Sequence, residues 1–374
     1  MRPKIIFTVT NDLTYDQRMI RICHSLATND FEVLLVGRNK QNSIPLQSKS
    51  FQQKRLSLFF QRGKLFYLEY NIRLFFFLLI KPFTIVGSVD LDSLLAGYVA
   101  SKIKRRTLVF DAHEYFTEVP EVVNRPFTKK VWETLADFTL PKLKYAYTVS
   151  AALQDLFTEK YGVAFGLIRN IANTYPTPDL SNPLNLPETG YPVVLYQGVL
   201  NEGRGLEAMI NAMTKIDRAV LWIAGEGDLS QILRAMVRER KLEKKVHFLG
   251  YLTPEHLKLV TQRAAIGLNL LENRGLSYYY SLANKTFDYI QAGVPAIHVN
   301  FPEYQRINEQ FEIGILVDDL ETNTLVTAIN RLLKDTTFYQ KIQQNCYQAA
   351  KLYTWKNEKK RLLRFYQNVL NGGR

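Results

Sequence analysis

Four places along the 374-residue chain gather side chains able to handle protons, anions or sugar hydroxyls. The first is Asp111-Ala112-His113-Glu114, three titratable groups within four residues. An imidazole set among carboxylates can donate to a hydroxyl or accept a proton. The second is Thr10-Asn11-Asp12, which leads through Tyr15 and Asp16 into Gln17-Arg18. Asn11 and Asp12 either receive an anion or hydroxyl at a helix N-terminus or serve as turn and cap residues. The third is Gln197-Gly198-Val199-Leu200-Asn201-Glu202-Gly203-Arg204-Gly205-Leu206, echoed by Ala224-Gly225-Glu226-Gly227-Asp228. Glycines let backbone approach a phosphate, and Arg204 offers it a two-pronged contact. The spacing is not a P-loop, because no Gly-Lys-Ser/Thr follows, and either stretch also suits a plain tight turn. The fourth is Leu271–Gly293, with a polar aromatic loop at Tyr278–Ser281 and then Asn284-Lys285 opening a helix that Gly293 ends. Lys285 and Asp288, three apart, share a face of that helix. A cation and a carboxylate there suit a sugar nucleotide, the helix end for the diphosphate and the acid for ribose hydroxyls, or else form a surface ion pair.

These stretches follow segments that read as buried strands. Lys4–Val9, Phe31–Gly37, Phe83–Gly87, Thr107–Asp111, Ala146–Ser150 and Phe165–Arg169 are apolar runs, with helical patterns between most of them. Such alternation indicates a parallel sheet covered on both faces. Residues 173–192 then carry five prolines and read as a linker. The pattern restarts at Val193–Tyr196, Ala219–Ala224, Lys245–Leu249, Ala265–Leu270, Val294–Val299 and Ile313–Val317. Two helical stretches close the chain, near Leu325–Leu352 and Trp355–Leu370. The expected fold class is α/β: two doubly wound, Rossmann-like domains facing each other across a cleft. In such sheets ligands bind beyond the carboxyl ends of the strands.

With 47% hydrophobic and 22% charged residues, two packed cores are expected and global disorder is excluded. Two cysteines, Cys23 and Cys346, exclude a disulfide framework and a four-thiolate zinc site, which makes a reducing cytoplasm the expected location. The opening residues read as a strand rather than a leader. The apolar run Leu74–Ile80 stops at Lys81-Pro82, short of the roughly 20 residues that span a bilayer. The net charge is +13 (48 basic, 35 acidic), and residues 38–81 hold nine cations against Glu69 alone, +8. An anionic partner follows. Leu65–Ile80 is too apolar for a free helix and is expected to pack on the N-terminal sheet. Lys49–Lys64 interleaves Phe51, Phe59 and Phe60 with cations and suits an interfacial element on anionic lipid, peripheral at the inner face of the cell membrane. No nucleic-acid-binding motif is present.

The order TND…DQR, DAHE, VSAALQDLF, YQGVLNEGRGLEAMI, LWIAGEGD, VHFLGYL, SLANKTFDYIQAGVPAI and IGILV resembles the family 4 retaining glycosyltransferases of the GT-B fold, over nearly the whole chain. The resemblance implies transfer of a sugar from a nucleoside diphosphate sugar to a glycan or lipid-linked acceptor, as in envelope or exopolysaccharide synthesis, with no metal and no cofactor. It implies an N-terminal acceptor-binding domain at 1–172, the linker 173–192, a nucleotide-sugar domain at 193–352, and a helix at 353–374 crossing back to the N-terminal domain. Arg204 falls on the family's diphosphate-binding cation, and Val199 stands where a further arginine is usual. Lys285 or the Tyr280 and Ser281 hydroxyls supply the remaining phosphate contacts. Of the family's two glutamates eight apart, the second corresponds to Asp288 and the first to Tyr280. Donor-sugar contacts then fall to backbone N–H groups near Leu276–Tyr279. His113 matches the family histidine that reaches the donor sugar. Catalytic roles are thus expected for His113, Arg204 and Lys285. Donor contacts are expected at Gly198, Gly225, Glu226, Tyr280, Ser281, Asn284 and Asp288, and acceptor contacts at Asn11, Asp12 and Glu114. Two other activities fit the fold: a sugar-nucleotide epimerase, which needs acid/base carboxylates such as Glu114, Asp12 or Glu226, and a non-catalytic membrane scaffold.

Overall fold

The computed structural model describes residues 2–172 and 184–372. The chain divides into two compact units, Met1–Asn170 with Glu358–Arg374, and Ile171–Asn357. Most of the expected linker, 173–183, lies outside the described residues. Ile171, just ahead of it, is buried in the second unit's core beside Leu271, Leu282 and Phe287.

The first unit is a seven-stranded, all-parallel sheet in the order β3-β2-β1-β4-β5-β6-β7. Its strands are β1 (Lys4–Thr8), β2 (Glu32–Arg38), β3 (Gln52–Leu56), β4 (Ile85–Val89), β5 (Thr107–Ala112), β6 (Tyr145–Thr148) and β7 (Phe165–Leu167). Its helices are α1 (Gln17–Ala27), α2 (Gly63–Ile80), α3 (Asp90–Lys104), α4 (Pro120–Val123), α5 (Pro126–Thr139) and α6 (Ala151–Tyr161). Ile5, Ile6 and Phe7 are all buried, as a strand covered on both faces requires. The order reverses between β1 and β4, so loops after those strands border the switch point where ligands collect.

The structure corrects two expectations here. The fourth strand runs Ile85–Val89, two residues beyond Phe83–Gly87, and passes directly into α3 through Asp90, whose φ is +52°. Within the basic stretch Lys49–Lys64, where no strand was expected, Gln52–Leu56 is the edge strand of the sheet, paired with β2. Phe51 is buried, and the Arg55 guanidinium donates to the Asp12 and Ile44 carbonyls and the Thr14 hydroxyl. Cations on an edge strand also discourage pairing with another chain.

The second unit is a six-stranded parallel sheet in the order β10-β9-β8-β11-β12-β13. Its strands are β8 (Val193–Gln197), β9 (Val220–Ala224), β10 (Val246–Gly250), β11 (Ile266–Asn269), β12 (Ala296–Val299) and β13 (Gly314–Val317). Its helices are α7 (Leu206–Met213), α8 (Ser230–Glu239), α9 (Pro254–Arg263), α10 (Leu276–Tyr279), α11 (Asn284–Ala292), α12 (Pro302–Phe311), α13 (Thr322–Lys334) and α14 (Thr336–Leu352). The stretch expected as a loop at Tyr278–Ser281 begins in the one-turn helix α10. Here the order reverses between β8 and β11, again placing a switch point at the glycine-rich loop.

The last helix, α15 (Trp355–Leu370), contributes its residues from Glu358 onward to the first unit. Tyr366 is fully buried there, edge-on to Phe7, Phe31 and Tyr147. Buried Glu358 accepts the Arg169 backbone N–H at 3.0 Å.

Candidate functional site

In the second unit, the turn after β8 is built for close approach. Gly198 and Gly225 have φ of +137° and +139°, and a Cβ on Gly225 would lie 1.9 Å from the Gly198 carbonyl oxygen. Only glycine lets these two turns touch. The gap admits Lys285, the second residue of α11, which is 8% exposed. Its Nζ lies 3.7 Å from the centre of the Tyr196 ring. Burial pulls this ammonium well below the usual lysine range and the Arg204 charge adds to that, with Asp288 acting against both. Arg204 stands at the end of the same glycine-rich turn, its guanidinium 4.9 Å from the Tyr278 ring centre. Its Nε is buried with no hydrogen-bond partner. Among the described residues neither cation has an ion-pair partner.

Asp288 does not form the surface ion pair with Lys285 that spacing alone allows. Its carboxylate accepts from Gln197 Nε2 at 2.7 Å, and Gln197 Oε1 in turn accepts from the Thr261 hydroxyl at 2.7 Å. The end of β8 therefore fixes the acid's position. Asn284 is exposed at the start of α11. Ser281 donates to the Tyr278 carbonyl, and Tyr280 packs against Tyr279. Glu226 is exposed and paired with Arg234 at 2.8 Å. Beneath the site, His298 is fully buried and stacked on Tyr304. Burial and the Lys285 charge push its pKa down to about 3, so the ring is neutral.

In the first unit, the DAHE stretch splits. Asp111 is still in β5 and fully buried, bound to the guanidinium of Arg18 at 2.9 Å. Burial opposes its charge, and Arg18 and His113 outweigh that, holding the pKa at about 2. His113 follows the strand and keeps its ring partly open to solvent. Its Nε2 faces a donor, Arg18 Nε at 2.9 Å, and an acceptor, Asp111 Oδ2 at 3.1 Å. The neutral ring can take the first and the imidazolium the second, so the pair is an either-or proton site. Burial disfavours the charged ring, but Asp111 and Asp90 prevail and raise its pKa above the ordinary value. Glu114 is exposed beside it.

Asn11 and Asp12 direct their side chains to their own loop. Asn11 accepts from Leu13 N and donates to Asp16, while Asp12 accepts from Thr14 N and the Ser43 hydroxyl. Two residues that the sequence reading passed over stand nearer the switch point. Asp90 accepts the His113 backbone N–H at 2.8 Å, and Asp92 accepts the Thr10 hydroxyl. Burial raises Asp92 to about 6 against the hydrogen bond from Thr10, with His113, Asp90, Arg38 and Tyr70 around it. The signal was available: Asp90-Leu91-Asp92 directly follows a strand, as DAHE does, once the strand end is set at Val89.

Asp92 carries a stability prediction. Between pH 4 and 6 the native state retains a proton that the unfolded chain has lost, so this group's contribution falls as pH rises through about 6. Asp92→Asn is expected to gain on the parent by roughly 1–3 kcal/mol between pH 4 and 7. Denaturant unfolding at both pH values checks this, and parallel curves would refute it.

Residues 180–352 match the family model for "Glycosyl transferases group 1". A sequence relative is an uncharacterized glycosyltransferase of Methanocaldococcus jannaschii, 26% identical over 179 residues, 47% of this chain and 44% of that protein. The chain thus spans under half the length of that curated relative. Among solved structures, a sucrose-phosphate synthase from Thermosynechococcus elongatus superposes with a TM-score of 0.82 at 18% identity, covering 99% of this chain and 100% of that one. Anabaena Alr3699/HepE, solved in complex with UDP and glucose, gives 0.74 at 16% identity and 99% coverage of both chains. The match to group 1 glycosyl transferases thus falls on the second unit, and the whole chain has the GT-B fold of two Rossmann-like domains. The resemblance drawn from the motifs holds at that level.

Proposed function

We propose that this protein is a retaining glycosyltransferase that moves a sugar from a nucleoside diphosphate sugar to a hydroxyl of a glycan or lipid-linked acceptor at the cytoplasmic side of the cell envelope. The observation that carries the reading is the pair Arg204 and buried Lys285, neither of which has an ion-pair partner among the described residues, with Asp288 acting on Lys285 only at a distance. A diphosphate supplies the missing charge, and the N-terminal end of α11 adds backbone donors. Asp288, positioned by Gln197, takes the ribose hydroxyls. As the glycosidic bond breaks, charge grows on the departing diphosphate. Fixed cations stabilise it there without reorganising. The leaving phosphate assists attack on the face it vacates, so no protein nucleophile is required. In this reading His113 donates to a hydroxyl of the transferred sugar, and Glu114 meets the acceptor.

The test is a thermal-shift panel of UDP-, GDP-, ADP- and CMP-sugars, followed by product analysis with and without an acceptor panel. A ligand that binds only the native state raises the melting temperature. UDP-glucose is the first probe, since HepE was solved with UDP and glucose. Stabilisation by one donor class and acceptor-dependent transfer are expected. Conversion of donor alone would instead indicate an epimerase. Binding with neither reaction would leave a non-catalytic scaffold.

A further inference from the structure

Helix α2 is apolar on two sides. Phe66, Tyr70, Leu74 and Leu78, four residues apart, are buried in the first unit's core with Val36 and Val86. On the opposite side Leu65, Leu68, Ile72, Phe76 and Ile80 recur at spacings of three and four and are 48–80% exposed. A helix needs only one apolar stripe to pack on a sheet. Among the described residues the second stripe stays exposed.

The surface does not end at α2. The Asn71 amide donates to the Asp92 carbonyl, and Lys104 Nζ donates to the Leu78 and Leu79 carbonyls, so α3 runs alongside α2 in the same direction. Its outer side exposes Leu95, Val99 and Ile103, each four residues from the last. Helix α5 joins the layer, with Trp132 against Tyr67 and Phe138 against Tyr98, and exposes Phe127 and Val131. Contiguous apolar exposure on this scale marks an interaction surface.

Charge decides what covers it. Exposed Lys64, Lys81, Lys102, Arg105, Arg106 and Lys130 lie on the same three helices and their ends. Fewer carboxylates lie among them: Glu69 accepts the Phe59 and Phe60 backbone N–H groups and pairs with Arg73, Glu133 lies 3.9 Å from Lys129, and Asp137 is exposed on α5. A second copy docking by the same face would set this positive rim against itself. An anionic bilayer instead offers acyl chains to the apolar side chains and phosphates to the cations. Because its inner stripe belongs to the core, α2 can only lie along such a surface, and no helix among the described residues is long and apolar enough to cross a membrane.

We propose that the outer faces of α2, α3 and α5 seat this protein on an anionic phospholipid bilayer, with their apolar side chains in the headgroup boundary and their cations on lipid phosphates. The sequence reading placed membrane contact on Lys49–Lys64. The present proposal centres it on the helical face, of which Lys64 is part, and binding there requires no sugar transfer.

The test is flotation of the full chain with phosphatidylglycerol/phosphatidylcholine vesicles and with phosphatidylcholine vesicles alone. Binding to the anionic vesicles is expected at low salt, weakened by added salt. Ile72→Gln with Phe76→Gln should lower partitioning at least tenfold with an unchanged melting temperature, since both side chains are exposed. Arg105→Glu with Arg106→Glu should also weaken binding, and most at low salt. Absence of the unmodified chain from the anionic vesicles overturns the proposal. So do variants that bind as the parent does, or a concentration-dependent dimer that the Ile72 and Phe76 changes dissolve.

Discussion

Arg204→Ala is expected to lower turnover by about 10²–10³-fold, the usual loss when one fixed group aimed at developing charge is removed. The argument rests on charge balance. Arg204 and Lys285 repel each other electrostatically, and the carboxylate that acts on Lys285, Asp288, is itself held by Gln197. Removing Arg204 should relieve Lys285, whose pKa then rises toward the ordinary lysine range, so the fold should not suffer. Lys285→Met should cost catalysis similarly and also spare the fold, because a buried amine with no ion-pair partner among the described residues is replaced by an apolar side chain. Donor binding draws a proton onto Lys285, so affinity should weaken as pH rises. Turnover with the donor selected by thermal shift, paired with melting temperature, is the measurement. A rate within tenfold of the parent would remove Arg204 from the mechanism. A collapsed melting temperature would show that it supports the fold instead.

Arg18→Ala carries the largest expected effect on stability. It would leave Asp111 ionised, fully buried and without its guanidinium, and would strip donors from the Ile168 carbonyl and from His113. Breaking a buried pair from one side typically costs about 3–5 kcal/mol. The unfolding transition of the first unit should therefore fall by roughly 10 °C. Replacing both partners, as Arg18→Met with Asp111→Leu, should recover much of that loss, because no isolated charge remains. Asp111 also links this pair to acid. Its depressed pKa adds stability that is full above about pH 4 and is lost as pH falls through about 2. A loss below 1 kcal/mol for Arg18→Ala, by denaturant unfolding at neutral pH, would show that solvent reaches the pair.

The strands of both sheets were legible because each is a continuous apolar run, and that pattern depends only on burial on both faces. Strand β3 was not, since Gln52-Gln53-Lys54-Arg55-Leu56 is an edge strand with polar side chains and no such run. The glycines and cations of the second unit were legible by type and spacing. Their states were not. Lys285 and Asp288 look like a surface pair three residues apart, yet one is buried against Tyr196 and the other is held by Gln197, ninety-one positions away in sequence.

The sequence by itself determined the α/β class, the two restarts of the strand pattern, and the inventory of cations, glycines and histidine at strand ends. These follow from periodicity and residue type, which act over a few neighbours. Tertiary structure decided which charges are paired. Arg18 meets Asp111 and His113, while Arg204 and Lys285 lie against aromatic rings. It also decided which side of α2 is core and which is surface, since both sides are equally apolar. Pairing and burial are set by contacts between distant segments, which no local pattern of residues encodes.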